Sequence, residues 1–265
     1  MSGGGLQISG LHVAYGRRVV IPSLSVADLQ PGTVTVVLGP NGSGKSTFLR
    51  ALAGLTRASG QVRLQGQPLD QASLAERARR VVYQPQALPA AVHLRVIESL
   101  MAARKASPHS LHAGAEPAQD AVMQCAAVLQ QLGIDHLAMR HLDELSGGQA
   151  QLAGLAQALI RQPQVLMLDE PLSALDLNHQ FHVMALVGEQ TRRSGMVTLV
   201  VLHDLGLALR HADRVLVLQN GELQADGLPS DAINPELLAR VYGVQARVEL
   251  CSRGIPQVMV DGLLA

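Results

Sequence analysis

Nine consecutive residues, Gly39-Pro40-Asn41-Gly42-Ser43-Gly44-Lys45-Ser46-Thr47, fit the pattern G-x-x-x-x-G-K-[ST]. Glycines at these positions let backbone N–H groups curl around a phosphate with no side chain in the way. A helix starting there also turns its positive dipole end toward the anion. In this pattern Lys45 brings a charge for terminal phosphates and Ser46 a hydroxyl for Mg2+. A glycine turn can fit by accident, but here an apolar run (Thr33 to Gly39) precedes the loop and a helical pattern (Lys45 to Leu55) follows it. A second chemical feature is the apolar run Val165-Leu166-Met167-Leu168, which ends in Asp169 and Glu170. Ligand chemistry in open parallel sheets gathers at the carboxyl ends of strands. There Asp169 can hold Mg2+ through its water shell, and Glu170 can polarise a water for attack on a terminal phosphate. Such an acid pair alone is often just a solvated strand end; beside a phosphate loop it reads as part of a nucleotide site.

These groups need a scaffold, and the chain has the means to build one. Its 265 residues suit one α/β domain, with or without an inserted subdomain. Hydrophobic residues make up 48% and charged residues 16%, which excludes a disordered chain. Aromatics are 2%, so the core must be aliphatic and base-stacking platforms are not expected. Lys plus Arg equals Asp plus Glu at 21, and this balance argues against a nucleic-acid partner. The first residues do not read as a signal peptide, and no run approaches the ~20 apolar residues of a membrane span. Short apolar runs at Gln164 to Asp169, Val197 to Leu202 and Arg214 to Leu218 alternate with helical spacing at Asn178 to Arg193 and Leu205 to His211. That alternation predicts a mostly parallel sheet covered by helices. Leu6 to Tyr15, Arg18 to Val26 and Gly60 to Leu64 predict an antiparallel sheet beside it. From about Pro85 to Ala158 the pattern is mostly helical, with periodic segments Val92 to Lys105 and Gln119 to Leu132 around an expected loop, Ser107 to Pro117. A small strand pair is expected from Gln245 to Asp261, turning near Ser252-Arg253-Gly254.

Leu145-Ser146-Gly147-Gly148-Gln149 resembles the signature motif of ABC-type ATPases, and the resemblance extends from Leu6 to about Val244. It implies a P-loop NTPase fold with an ABC-type layout. Residues 1–84 would be the first part of the ATPase core, with the antiparallel β subdomain. Residues 85–158 would be an inserted helical subdomain, 159–244 the second core part and 245–265 a tail. The resemblance also implies roles for particular residues. Tyr15 would stack on adenine. Gln84 would sense Mg2+ and the attacking water, and His203 would contact the terminal phosphate. Ser173-Ala174-Leu175-Asp176 would communicate across a dimer. Ser146, Gly147, Gly148 and Gln149, at a helix N-terminus, would form a second anion cradle closing on ATP bound to another subunit. The implied assembly is a homodimer, or a heterodimer with a similar chain, using ATP and Mg2+ and peripheral on the cytoplasmic face of the inner membrane. It would serve separate permease subunits and a periplasmic or surface substrate-binding protein. Leu202-His203-Asp204-Leu205 and Val241-Tyr242-Gly243-Val244 look most like importers of iron chelates, haem or cobalamin. An ABC ATPase of another transport system and a soluble ABC ATPase remain alternatives; soluble ones usually carry a long coiled coil or two cassettes.

Two positions depart from the family pattern: Leu152 and Gln157 stand where arginine is usual, which should alter pairing near that helix. Cys125 and Cys251 read as buried small apolar residues. Met101, Met184 and Met196 read as core filling. His109, His112, His179 and His182 have spacings a metal could use, but no cluster completes a set. Arg77, Arg79 and Arg80 read as a solvated basic face.

Overall fold

The computed structural model describes residues 4–86, 92–106 and 118–264. The expected loop Ser107 to Pro117, with His109 and His112, lies outside them. The main sheet contains β3 (Val34–Leu38), β6 (Val81–Gln84), β7 (Val165–Asp169), β8 (Val197–Val201), β9 (Arg214–Gln219) and β10 (Glu222–Gly227), in the order β10-β9-β3-β8-β7-β6. Every residue of β3, β7 and β8 is buried. Strands covered on both faces are mostly apolar, which is why these runs show no alternation and carry only Thr35, Asp169 and Thr198 as polar members. β9, β3, β8, β7 and β6 pair in parallel, and β10 adds antiparallel to β9. Parallel pairing carries the residues after β3, β6, β7 and β8 to one end of the sheet. Those residues are Gly39, Pro85-Gln86, Glu170 and Leu202-His203.

A second sheet, β2-β1-β4-β5, is antiparallel. It consists of β1 (Leu6–Tyr15), β2 (Arg18–Leu29), β4 (Ala58–Leu64) and β5 (Gln67–Pro68). In β1 the buried residues are Leu6 and Ile8, then Leu11 and Val13; the alternation slips where the pairing register shifts. Among the described residues the helices of seven or more residues are α1 (Lys45–Leu52), α2 (Leu74–Arg80), α3 (Val96–Lys105), α4 (Ala118–Gln131), α5 (Gly147–Leu159), α6 (Leu177–Ser194) and α7 (Leu205–His211). Two apolar layers sandwich the main sheet. Val37, Met167, Leu199 and Leu216 join Phe48 and Leu49 of α1 and the inner face of the antiparallel sheet. Val36, Leu166, Leu168 and Val200 join α4 to α7. Phe48 is fully buried, and burying a side chain of that kind contributes about 1.5–3 kcal/mol.

Several local expectations are corrected. Helical periodicity began at Val92, but α3 begins at Val96. The preceding segment pairs with the 140–142 loop instead: Val96 N donates to Arg140 O, Leu142 N donates to Leu94 O, and Glu98 caps Arg95 N. β6 and α2 were not expected. The Arg77–Arg80 group is not simply a solvated face: Arg77 is buried and donates to Ala51 O, Leu52 O and Leu69 O, closing the C-terminus of α1. Arg80 reaches Gln164 and Gln67. Cys125 is buried, but Cys251 is half-exposed at the turn between β11 (Val244–Leu250) and β12 (Pro256–Leu263). That hairpin is the expected strand pair, starting one residue earlier and ending two later. Met184 and Met196 are buried, and Met101 packs against the core while half-buried. His179 is bonded to Asp176 and His182 to Gln131 O. Among the described residues no group of three or more His, Cys, Asp or Glu is placed to hold a metal, and no helix is long and apolar enough to cross a membrane.

Candidate functional site

The phosphate loop runs from the end of β3 into α1. Gly39 adopts φ 143°, and a Cβ on it would stand 2.0 Å from Leu218 O, so the close approach of the loop to β9 requires glycine. Lys45 is buried, with Nζ donating to Gly39 O at 2.9 Å and Pro40 O at 3.0 Å. Burial pulls its pKa down, opposed by the charges of Glu170 and Asp169. Ser43 Oγ is buried, and among the described residues it has no hydrogen-bond partner. A buried hydroxyl left so fits a ligand that supplies acceptors. A cavity of about 430 Å³ opens above the loop. Tyr15, Arg18, Val20, Asn41 to Thr47 and Glu170 line it. A larger cleft, lined by Gln164 and Val197, lies at the amino ends of β7 and β8, away from these groups.

Asp169 ends β7 and is 3% exposed. Ser46 Oγ donates to its Oδ1 at 3.0 Å and Tyr83 Oη to its Oδ2 at 2.9 Å. Burial raises the Asp169 carboxyl above its usual range, and the two hydroxyl donors oppose that shift. Burial, together with the Asp169 charge, also pushes the Tyr83 phenol up, so it remains a donor. Glu170 follows with φ 50°, a left-handed conformation that costs a non-glycine residue about 1 kcal/mol or more. At this bend its carboxylate meets two side chains: His203 Nε2 lies 2.5 Å from Oε1, and Gln86 Nε2 donates to Oε2.

Gln86, not Gln84, reaches the carboxylate. Gln84 is the last residue of β6, is 4% exposed and donates from Nε2 to Gln151 O at 3.2 Å. Its Oε1 has no partner among the described residues. The two glutamines are two residues apart, so side-chain alternation gives no choice between them. The signal that could have decided is Pro85: it lacks the N–H a ladder needs and marks the end of the strand. Gln86 is then the first side chain beyond the strand, at the sheet end where ligands gather.

Ser146 is the N-cap of α5. Its Oγ accepts from Gln149 N while Gln149 Oε1 accepts from Ser146 N, a reciprocal capping box. Gly148 lies against the segment after Glu170, where a Cβ would come within 2.8 Å of Ala174 O. Gln151 ties the two together: Nε2 donates to Ser173 Oγ at 2.8 Å and Oε1 accepts from Ala174 N at 3.1 Å. Asp176 caps α6 through His179 N. Tyr15 is exposed at the cavity rim, its hydroxyl 3.3 Å from Thr56 Oγ1. Thus Gly39 to Thr47, Asp169, Glu170 and His203 converge, and Tyr15 stands at the same cavity. Ser146 to Gln149 and Asp176 do not line it. The two departures are accommodated within the chain: Leu152 is buried in the core, and Gln157 Nε2 donates to Ser99 Oγ at 3.0 Å.

Known proteins resemble this chain along most of its length. The ABC transporter family model matches residues 25–173. The hemin import ATP-binding protein HmuV of Plesiomonas shigelloides is 38% identical over 256 residues, covering 90% of this chain and 94% of that one. The ferric enterobactin transport ATP-binding protein FepC of Escherichia coli K12 is 35% identical over 241 residues, covering 90% and 87%. The dimeric bacterial ABC transporter cassette MJ0796 shares the fold, with a TM-score of 0.74, 22% identity, and coverage of 84% and 98%.

Proposed function

The chain belongs to the ABC transporter family and is an ATPase of that family, and on this footing we propose that it drives a bacterial importer of an iron chelate or haem. The observation that carries the hydrolytic part is the Glu170 carboxylate, held between His203 and Gln86 beside the phosphate loop. The transport part is supported by relatives named for hemin import and ferric enterobactin transport over nine-tenths of the chain.

In this reading Tyr15 stacks on adenine and Gly39 to Thr47 enclose the phosphates. Lys45 exchanges Gly39 O and Pro40 O for oxygens of the terminal phosphate. The oxygen donors Ser46 Oγ and Asp169 are the hard type that Mg2+ takes. Mg2+ held there would neutralise charge on the β- and γ-phosphate oxygens. Glu170 accepts the proton of the attacking water, which deprotonates as its oxygen bonds to the terminal phosphorus and the bond to ADP breaks. His203 orients Glu170 and contacts the departing phosphate, and Gln86 takes the water-sensing role that the family resemblance had given to Gln84. Ser146 to Gln149, at a helix N-terminus away from their own cavity, complete the site on a second copy. Residues 85–158 act as the helical subdomain carrying that motif. The pair works at the cytoplasmic face of the membrane with permease subunits and an external binding protein.

Uptake measured in a deletion strain tests the whole. Ferric chelates, haem and cobalamin are offered in turn, with the wild-type chain or Lys45→Ala supplied on a plasmid. The proposal expects the wild type alone to restore uptake of an iron chelate or haem. Restoration by Lys45→Ala, or no dependence of either uptake on this chain, contradicts it.

A further inference from the structure

Tyr83 stands outside the nucleotide cavity yet bonds a group the site depends on. It lies on β6, the edge strand, paired in register with Met167 of β7. Its hydroxyl crosses to the end of β7 and donates to Asp169 Oδ2 at 2.9 Å, while Ser46 of α1 donates to Oδ1 at 3.0 Å. One hydroxyl therefore sits on each oxygen, and each comes from a different element. Two such anchors fix the plane of the carboxylate. They also occupy one lone pair on each oxygen, so the group cannot turn freely to grip a cation with both.

That constraint does not act equally on all cations. Mg2+ is small, keeps near-ideal octahedral geometry and retains several waters, so it needs a single well-placed carboxylate oxygen or its water-mediated contact. Ca2+ takes six to eight oxygens at longer range and readily uses both oxygens of one carboxylate. We propose that Tyr83 is a positioning residue whose hydroxyl holds Asp169 in the orientation that serves Mg2+ and disfavours Ca2+. This rests on the assignment of Asp169 to the metal made above. The hydroxyl acts through Asp169 and touches neither nucleotide nor cation.

Tyr83→Phe tests it, because the ring and its packing stay and only the hydroxyl goes. Full-length wild-type and variant proteins are loaded with a non-hydrolysable ATP analogue. Bound Mn2+ is read by electron paramagnetic resonance and displaced by Mg2+ or by Ca2+, and a thermal melt accompanies each protein. Loss of a group that orients a metal ligand typically weakens metal binding 10- to 100-fold. The variant is expected to bind Mg2+ about tenfold more weakly while Ca2+ holds or gains, so the Mg2+/Ca2+ preference falls about tenfold or more. Metal affinities equal to wild type overturn the inference, and so does an equal loss for both cations, the mark of a structural role. If wild-type protein with nucleotide takes up no Mn2+, the Asp169 assignment falls and this inference with it. If wild type binds and the variant is identical, only this inference falls.

Discussion

Two glutamines two residues apart have different surroundings, and exchanging each should separate a catalytic contact from a core one. Gln86 Nε2 donates to the Glu170 carboxylate from a loop, with its side chain exposed. A hydrogen bond to a charged group is worth about 1.5–3 kcal/mol. At about 1.4 kcal/mol per decade, Gln86→Ala should slow ATP turnover roughly 10- to 100-fold. Its melting temperature should stay near wild type, because nothing buried is disturbed. Gln84 is buried, makes one neutral bond to Gln151 O and leaves Oε1 without a partner among the described residues. Gln84→Met loses that bond, worth about 0.5–1.5 kcal/mol, and removes a buried orphan acceptor that costs about 1–3 kcal/mol. The net change should lie between a loss of about 0.5 and a gain of about 2.5 kcal/mol, a shift of at most several degrees in a chain of this size. Turnover should remain within about twofold. Phosphate release at saturating ATP and a thermal melt on both variants decide the matter. Turnover lost in Gln84→Met and kept in Gln86→Ala would refute the assignment and restore Gln84 to the role first expected of it.

Two further substitutions test how burial and charge are balanced. Arg77→Ala strips the donor from Ala51 O, Leu52 O and Leu69 O, and should destabilise the chain by about 2–4 kcal/mol in urea titration without changing the m-value. Asp169 has its folded pKa raised by burial, so its ionisation costs stability. That cost is absent below the unfolded value of about 3.9, grows as pH rises through the folded value, and is constant above it. Asp169→Asn should therefore melt above wild type near pH ~7, lose the advantage below pH ~4, and hydrolyse no ATP; thermal melts across pH measure the first two and phosphate release the third.

Much of the fold was legible because its signals are local. The five-residue apolar runs of β3, β7 and β8 have strand length and carry chemistry at their ends, and a glycine loop before a helix needs little tertiary context. The antiparallel β1 and β2 were readable as short strand-like segments joined by a turn. β6 was not, because Val81-Val82-Tyr83-Gln84 is only four residues long, with two apolar residues followed by two polar-tipped ones. α3 began late because Leu94 to Val96 found pairing partners at 140–142, a tertiary contact that helical spacing cannot reveal. Arg77 looked like one of three surface charges, and only the position of the α1 carbonyls shows it to be a buried cap. At the site, motif spacing singled out Lys45, Asp169 and Glu170, and the family resemblance singled out His203; all four lie at or just beyond ends of parallel strands or in the helix after one. That Gln86 rather than Gln84 touches Glu170 could not be read from the sequence, because the register of a strand end depends on the neighbouring strand, here Leu168 opposite Gln84. Tyr83 carried no signal in the sequence, since its role depends on which oxygen its hydroxyl reaches across the sheet.

The most direct measurement is the mass in solution of Glu170→Gln with and without ATP and Mg2+, by light scattering after size exclusion. With hydrolysis stopped and binding intact, the account predicts a species of twice the 28.0 kDa chain when ATP is present, and the single chain when it is absent or when Ser146 is also replaced by Arg. A single chain at saturating ATP, with nucleotide demonstrably bound, would contradict it.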